Sequence, residues 1–453
     1  MVIKRIFRIL FFIVPFILGF IAYLSLPYKG MLAAAYSAVR LYFMSVDTYE
    51  ITPLLELARW WAFFVVACSV AWVAARAAGT HLLHFFKCFH PKSCAVYGDS
   101  AAVKYLLNSM GWRAIAAGSK VIPRARRHLL VFDNDDVNLD FYAKHREVFA
   151  KKTTTLVLDN IAAECIQDEN VQIFTAAKHC ATSYWIDNPI KSTRGKIAII
   201  GFGAVGQAVL EAGLLLNIRS AQQQIEYHVW GSFEQYKGLH PHLTNEGGVV
   251  QGGTKDRIKY HDEHWKCGLI HEEDVSRVIF CGTPAENLQS LSCALELLCF
   301  EKMHIYMDCN NRIQSFDRVG NIVSFGMTET LYTEKNVFYD ALMDDAKELH
   351  GRYLRTNANA NNVPWADLST FHKRSNIAAA NYKHVLKELK ESDPHMEWDK
   401  LAELEHIRWC RFHYMHNYQY GERDVIKRMH PKLVAYSKLP EDDKEKCRQS
   451  VFM

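Results

Sequence analysis

Residues 196–218, KIAIIGFGAVGQAVLEAGLLLNI, decide the fold of the central part of the chain. The apolar run KIAII leads directly into three glycines with the spacing G-x-G-x-x-G, and a segment with apolar periodicity follows. Glycines at a turn from strand to helix allow a tight bend and bring a phosphate close to the helix N-terminus. In this context the spacing predicts a dinucleotide-binding unit. Its candidate ligand-binding residues are Gly201, Gly203, Ala204, Val205 and Gly206.

An earlier stretch, CAVYGDSAAVKYLLNSMG from Cys94, has the same order of strand, tight turn and helix. Gly98 takes the place of Gly201, 103 residues earlier, so the pattern favours a tandem duplication. Further short apolar runs end in polar turns: RAIAAGS, HLLVFDND, TTTLVLDN and VQIFTAA. Such runs between helices predict doubly wound parallel sheets. We therefore predict an α/β fold with tandem Rossmann-like domains at 93–192 and 193–357.

The predicted second strand of each unit lacks the acid that a dinucleotide site typically places there for the ribose hydroxyls. QIEYHVWGS ends in Trp230, Gly231 and Ser232, and RAIAAGS has no acid either. Asp133 and Asp308 follow later strands and partly compensate, so Asp308 joins the candidate site. We interpret the first unit as a degenerate copy. The second unit binds NAD(P) or another nucleotide, or it binds no ligand, and the residues leave both open.

Two apolar segments lie near the N-terminus, at 9–28 and 60–80. Each is long enough, at about 1.5 Å per residue, to cross a hydrocarbon core of about 30 Å. Lys4, Arg5 and Arg8 precede the first segment and a basic flank follows the second, which predicts that both termini are cytoplasmic. We therefore expect a membrane domain at 1–92, with helices at about 7–28 and 58–80, that crosses the inner (cytoplasmic) membrane twice.

The loop between the two segments decides between a pore and an anchor. It contains no glycine after Gly30, so it lacks the T-x-G-[YF]-G stretch that lines a potassium filter. Its YSAVRLYFM stretch favours an interfacial or re-entrant helix. A self-associating anchor and an unusual pore in an oligomer both remain open.

Composition limits the classes of function. The chain has 453 residues, a net charge of +4 and a mean hydropathy of −0.11, so most of it lies outside the bilayer. The sequence has no stripe of Lys and Arg residues with interleaved aromatic residues, so it does not predict a nucleic-acid partner. We find no G-x-S-x-G, H-E-x-x-H, Walker or C-x-x-C pattern, and so we expect no catalytic site. The stretch His261–His264 is closest to a metal cluster, and we interpret it as solvated.

The C-terminal part, residues 358–453, is dense in aromatic, His and Arg residues. DKLAELEHIRWCRFHYMHNY predicts a helix, and a turn at Gly421 and a basic helix follow. Two interpretations remain open. Trp409 and Tyr420 are core residues, or Arg408, Arg411 and Lys427 form a pocket with an aromatic ring for a nucleotide-like anion.

Within this part, LAELEHIRWC, YQYG, HPKLVAY and LPEDDKEK occur in an order that resembles the ryanodine receptor repeat (RyR) domain. The resemblance implies a small, mainly α-helical module for ligand sensing or assembly, without catalysis. The residues that match the shared motif are His406, Arg408, Trp409, Tyr420, Gly421 and His430.

Residues 93–330 resemble the nucleotide-binding domain of potassium-transport regulators, called TrkA-N or RCK domains, on the fold pattern and the three glycines. That resemblance implies that a bound nucleotide or ion moves a ring of such domains and acts on a membrane module.

Together these features predict a membrane-anchored ligand-sensing regulator or effector. Its expected partners are the lipid bilayer, a small nucleotide-like ligand and further copies of the chain, but no nucleic acid. The alternatives are an oligomeric membrane scaffold that binds no ligand and an NAD(P)-dependent enzyme.

Overall fold

The computed structural model describes residues 2–27, 29–46, 48–159, 166, 168, 170–270, 275–297, 303–309, 322–356 and 363–451. The chain divides into two compact units, Met1–Phe89 and His90–Met453. The predicted domain boundary at 357 lies outside the described residues.

The described residues of the N-terminal unit form helices. These are α1 (Val2–Leu24), α2 (Met31–Arg40, continued by a 3-10 turn at Leu41–Phe43) and α3 (Pro53–Cys88). Thr52 begins α3, because its hydroxyl accepts the Leu55 N–H at 3.2 Å and Pro53 takes the first helical position. Both long helices start before the predicted spans at 7 and 58, since backbone hydrogen bonding continues beyond the apolar stretch. Helix α2 overlaps the stretch YSAVRLYFM, for which we predicted an interfacial or re-entrant helix.

Small side chains fill the interior of this unit, and large apolar side chains face outward. Ala34, Ala38, Ala58 and Ala62 are fully buried, whereas Phe12, Ile17, Phe64 and Val70 are exposed. By length and composition, one helix among the described residues, Pro53–Ala74, is suited to cross a membrane, and Phe11–Leu24 is a shorter apolar helix.

The first α/β region contains a five-stranded parallel sheet in the order β2-β1-β3-β4-β5. Its strands are β1 (Cys94–Tyr97), β2 (Ala114–Gly118), β3 (Arg127–Leu130), β4 (Thr153–Val157) and β5 (Val171–Phe174). Its helices are α4 (Ala101–Met110), α5 (Asp135–Lys144), α6 (Arg146–Phe149) and α7 (Ala176–Asp187), and a 3-10 turn spans Gly111–Arg113.

The second α/β region contains a six-stranded parallel sheet in the order β11-β10-β9-β6-β7-β8. Its strands are β6 (Arg194–Ile200), β7 (Gln224–Trp230), β8 (Arg257–His261), β9 (Val275–Phe280), β10 (Met303–Tyr306) and β11 (Ile322–Phe325). Its helices are α8 (Ala204–Leu216), α9 (Glu234–Leu239), α10 (Trp265–Ile270), α11 (Pro284–Leu297), α12 (Thr328–Leu331) and α13 (Glu334–Phe338). Two parallel α/β sheets in tandem are therefore present, as predicted.

The C-terminal part is mainly helical. Its elements are α14 (Asp340–Thr356), α15 (Thr370–Ser392), α16 (Trp398–Met415), the short strands β12 (Gln419–Tyr420) and β13 (Met429–His430), a 3-10 turn (Tyr436–Lys438) and α17 (Glu441–Val451). The basic helix expected after Gly421 is absent from these described residues. Asp424 instead pairs with Met429 through two backbone hydrogen bonds, and its carboxylate accepts the Lys427 N–H at 2.9 Å, so the segment folds as a turn.

Helix α8 joins the parts of the C-terminal unit. The Trp185 indole of α7 donates to the Val209 carbonyl at 2.8 Å, in space that Gly213 leaves open. From the C-terminal part, Arg411 donates to the Leu214 carbonyl at 2.8 Å and the Tyr382 hydroxyl donates to the Ile218 carbonyl at 2.5 Å. One helix and the residues directly after it therefore hold both neighbouring parts.

Candidate functional site

Two glycines of the loop after β6 are required for packing. Gly201 has φ +88°, and a Cβ there would lie 2.4 Å from the backbone nitrogen of Gly282, which follows β9. A Cβ on Gly206 would lie 2.1 Å from the Gly201 carbonyl oxygen. Side chains are excluded at both positions because the loop, α8 and the end of β9 lie in backbone contact. This is the tight turn that the sequence predicted.

The middle glycine of the loop lies in different surroundings. A Cβ on Gly203 would meet no described atom within 4 Å, and its φ of −77° is open to any residue. Gly203 is the N-cap of the 13-residue helix α8, and Ala204 and Val205 supply the first helical N–H groups. A helix N-terminus carries partial positive charge and unpaired N–H donors. The loop therefore offers space and donors that suit a phosphate.

The end of β7 closes against this loop. Gly231 has φ +135°, and a Cβ there would lie 2.6 Å from the Phe202 backbone nitrogen. The Phe202 ring is buried and lies 5.1 Å from the ring of Tyr236. Trp230 is also buried, stacked 4.3 Å from His261. No carboxylate ends this strand, so the site fits a phosphate better than a complete dinucleotide with its ribose partner.

Asp308 lies toward the junction of the two sheets. Its backbone carbonyl accepts the Thr328 N–H at 3.0 Å at the start of α12. Burial, and next the charges of Cys180, of Asp159 from the first sheet and of Asp308, raise the pKa of nearby Tyr306 to about 12. Asp308 and Asp159 therefore approach the same tyrosine from different sheets.

The stretch from His261 is part of a hydrogen-bonded chain. His261 contacts Glu263 at 3.1 Å through Nδ1 and the buried His228 at 3.0 Å through Nε2. His228 lies 3.4 Å from Glu226. Within the described part of the chain, no three His, Cys, Asp or Glu side chains are placed to hold a metal ion.

The predicted cationic pocket of the C-terminal part is not assembled. Arg408 is 1% exposed and binds Glu405 through two hydrogen bonds of 2.8 and 2.7 Å. Arg411 is fully buried and pairs with Asp256 at 2.5 Å. Lys427 is exposed. Both guanidinium groups are thus neutralised inside the protein, which gives them a structural role.

The remaining residues of the shared C-terminal motif divide into two groups. The Trp409 ring lies 5.7 Å from the ring of His406 and 5.0 Å from that of His430. Tyr420 is exposed, and Gly421 lies where a Cβ would meet the Met429 side chain at 2.2 Å. The structure therefore brings Trp409 and the two histidines together and leaves Tyr420 at the surface.

His430 makes the stability of this part depend on pH. Burial, with the charges of Arg423 and Lys432, lowers the pKa of His430 to about 4. Its Nδ1 accepts the Lys432 N–H at 3.1 Å, which requires a neutral ring. Because the unfolded chain takes up this proton first, its contribution to stability is complete above about pH 6.5 and falls as the pH drops toward 4.

We expect His430→Gln to reduce the loss of melting temperature between pH 6.5 and 4, measured by circular dichroism. The exposed His395→Gln is the matched control and should follow the parent protein. Equal pH dependence of His430→Gln and the parent would contradict this role.

Several residues of interest escaped sequence reasoning. Asp256, the partner of Arg411, lies on the β7–β8 connection far away in sequence. A crevice at the first sheet is lined by Ser100, Asp159 and Tyr332 among others. The polar turn of TTTLVLDN is a signal for Asp159, but nothing local marks Tyr332, which comes from the second region.

No protein-family model matches the chain, and no curated protein matches it. Among solved structures, the chain is similar to the crystal structure of GsuK bound to ADP, with 12% sequence identity and a TM-score of 0.35. The match covers 73% of this chain and 94% of that chain. At this TM-score the similarity establishes neither a common fold nor a common ligand.

Proposed function

We propose that the protein is a membrane-anchored regulator that responds to a nucleotide. The ligand's phosphate binds at the N-terminus of α8, and binding shifts the equilibrium between two arrangements of the cytoplasmic part, which acts on the membrane helices. In this proposal the chain crosses the inner membrane twice, has both termini in the cytoplasm, assembles with further copies and ends in a ligand-sensing or assembly module of the RyR type.

The open position at Gly203 is the observation that carries the proposal. Gly201 and Gly206 are explained by packing, but no described neighbour requires glycine at Gly203. A phosphate at this position explains the middle glycine, because its oxygens accept from the first N–H groups of α8. The end of β7, from Trp230 to Ser232, carries no acid for the ribose of a dinucleotide, which favours regulation over hydride transfer.

The membrane part of the proposal rests on the distribution of small and large apolar side chains in the N-terminal unit. Small residues such as Ala38 and Ala58 lie at the helix contacts, and apolar side chains such as Phe64 and Val70 face outward. This distribution is typical of helices surrounded by lipid.

We expect a nucleotide to raise the melting temperature of the full-length chain in lipid nanodiscs. ATP, ADP and NAD are the probes. A ligand at 100 times its Kd adds roughly 2.7 kcal/mol to the stability of the part that binds it. Gly203→Ala should weaken binding roughly 10- to 100-fold, since its methyl group takes the place of the phosphate contacts. The melting temperature without ligand should stay the same.

Gly238→Ala is the matched control, because a Cβ there also meets nothing within 4 Å and Gly238 lies in α9, away from the loop. A hydrogen-exchange measurement of α3 with and without nucleotide reports on coupling. Equal binding by Gly203→Ala and the parent would overturn the site. Binding without any change in α3 would favour a scaffold over a regulator.

A further inference from the structure

The first sheet forms a crevice at its topological switch point. Strand β2 pairs with one edge of β1, and strand β3 pairs with its other edge. Ligands of open parallel sheets bind where the strand order reverses in this way, at the carboxyl ends of the strands. A cavity of about 240 Å³ lies here. Its walls include Ser100, Asp133, Asp135, Asp159, Thr328 and Tyr332.

The turn after β1 is built to open onto this cavity. Gly98 has φ +118°, and a Cβ there would lie 2.2 Å from the Val131 carbonyl oxygen, so the turn lies directly on the end of β3. Ser100 is the N-cap of the ten-residue helix α4, yet its side chain makes no capping hydrogen bond. Its buried hydroxyl has no hydrogen-bond partner among the described residues. A buried polar group of this kind requires an explanation, and a bound ligand supplies one.

Three carboxylates lie among the polar groups of the lining, and two of them, those of Asp133 and Asp159, are exposed. The Asp135 carboxylate accepts the Asp159 N–H at 2.9 Å, and Asp133 follows β3. Desolvation of the carboxylate by the residues around it, and next the charge of Asp135, raises the pKa of Asp159. No lysine or arginine is among the described residues that line the crevice. An anion would therefore meet net repulsion, whereas a neutral ligand with hydroxyl donors would meet acceptors.

The opposite wall comes from the second α/β region. Thr328 begins α12 and Tyr332 follows it, and the Tyr332 ring is mostly buried. Phe132 adds a second partly buried aromatic ring from the first sheet. The crevice thus offers aromatic surface together with carboxylates, and a molecule inside it touches both sheets.

We propose that this crevice binds a ribonucleoside, with its adjacent ribose hydroxyls donating to the carboxylates of Asp133 and Asp159 and its base lying against Tyr332. The site is separate from the phosphate site at Gly203 and takes an uncharged ligand. In this proposal the first α/β region has a ligand site of its own and is not a degenerate copy. The bound ligand contacts residues of both α/β regions.

The test uses the full-length chain in nanodiscs and isothermal titration calorimetry. The probes are adenosine, guanosine, cytidine and uridine, and each has its 2′,3′-dideoxy form and its 5′-monophosphate as matched comparisons. We expect at least one ribonucleoside to bind, and its dideoxy form to bind roughly 10- to 100-fold more weakly through loss of hydrogen bonds to carboxylates. The monophosphate should also bind more weakly at this site.

Asp159→Asn and Asp133→Asn should each weaken nucleoside binding roughly tenfold or more. The exposed Asp140→Asn, on α5, should leave it unchanged. Two carboxylate variants are used so that a folding defect in one still leaves a result from the other. Failure of all four ribonucleosides, equal binding of a dideoxy form, or full binding by a carboxylate variant that folds would each overturn the proposal.

The same variants separate this site from the proposed phosphate site. Gly203→Ala should retain nucleoside binding, and Asp159→Asn should retain nucleotide binding. Loss of both ligands in Gly203→Ala would show that the nucleoside binds at the glycine loop and would overturn the crevice site alone.

Discussion

Arg411→Met should destabilise the unit His90–Met453 by about 3–5 kcal/mol, which is the usual result of removing one partner from a buried ion pair. Arg411 is fully buried, and its guanidinium donates to the Asp256 carboxylate, the Thr254 hydroxyl and the Leu214 carbonyl. Without it, Asp256 keeps its hydrogen bonds from Gln223 and the Ile225 backbone, each 2.7 Å long. Its charge, however, is left buried without a cation.

The measurement is thermal unfolding of the full-length chain in nanodiscs, followed by circular dichroism. A loss of 3–5 kcal/mol corresponds to a fall of roughly 6–20 °C in melting temperature for a domain of 150–250 residues. Lys427→Met, an exposed cation in the same part of the chain, is the control and should shift it little.

The double variant Arg411→Met with Asp256→Asn removes both charges. It should recover much of the lost stability, because the cost comes chiefly from the unpaired carboxylate. A single variant as stable as the parent would show that the pair is not buried in the folded protein.

Gly206→Ala and Gly201→Ala should each destabilise the second α/β region by about 3 kcal/mol or more. Overpacking costs about 1–3 kcal/mol when neighbours can adjust. Here the obstacles are backbone atoms, the Gly201 oxygen at 2.1 Å and the Gly282 nitrogen at 2.4 Å, which move only with the whole turn. Gly201→Ala carries an additional cost of about 1–2 kcal/mol for its positive φ.

The comparison within the loop makes this prediction specific. Gly203→Ala changes the same residue type two or three positions away, and its Cβ meets no described atom within 4 Å. Thermal melts without ligand should therefore separate Gly201→Ala and Gly206→Ala from Gly203→Ala and Gly238→Ala. Similar melting temperatures for all four variants would contradict the close backbone packing.

Sequence reasoning succeeded where the signal is local. The run KIAII, the glycine loop and the following apolar period lie within 23 residues, so strand, turn and helix are specified together. The two parallel sheets followed from the repetition of that pattern. The prediction of a helix after Gly421 was wrong. The backbone of Asp424 pairs with that of Met429, and this pairing overrides the helix-forming composition of the segment.

The candidate sites were harder to predict, because they depend on contacts across the chain. Arg411 reads as an exposed cation on an amphipathic helix until Asp256, on a different sheet connection, is known to lie beside it. Tyr332 lines the crevice at the first sheet because α12, the helix before it, packs against α4. Burial and pairing of this kind have no periodic signal in a single sequence.

The contacts of α8 have a consequence for evolution and for mutational screens. Trp185, Arg411 and Tyr382 all bind main-chain carbonyls, those of Val209, Leu214 and Ile218. Every amino acid supplies a carbonyl, so single substitutions along this segment cannot delete the acceptors. Substitutions can therefore accumulate in its side chains while the hydrogen bonds to its carbonyl groups are kept. A scan of the segment alone would therefore overlook its part in holding the neighbouring helices, and the donors on those helices are the positions at which that part can be detected.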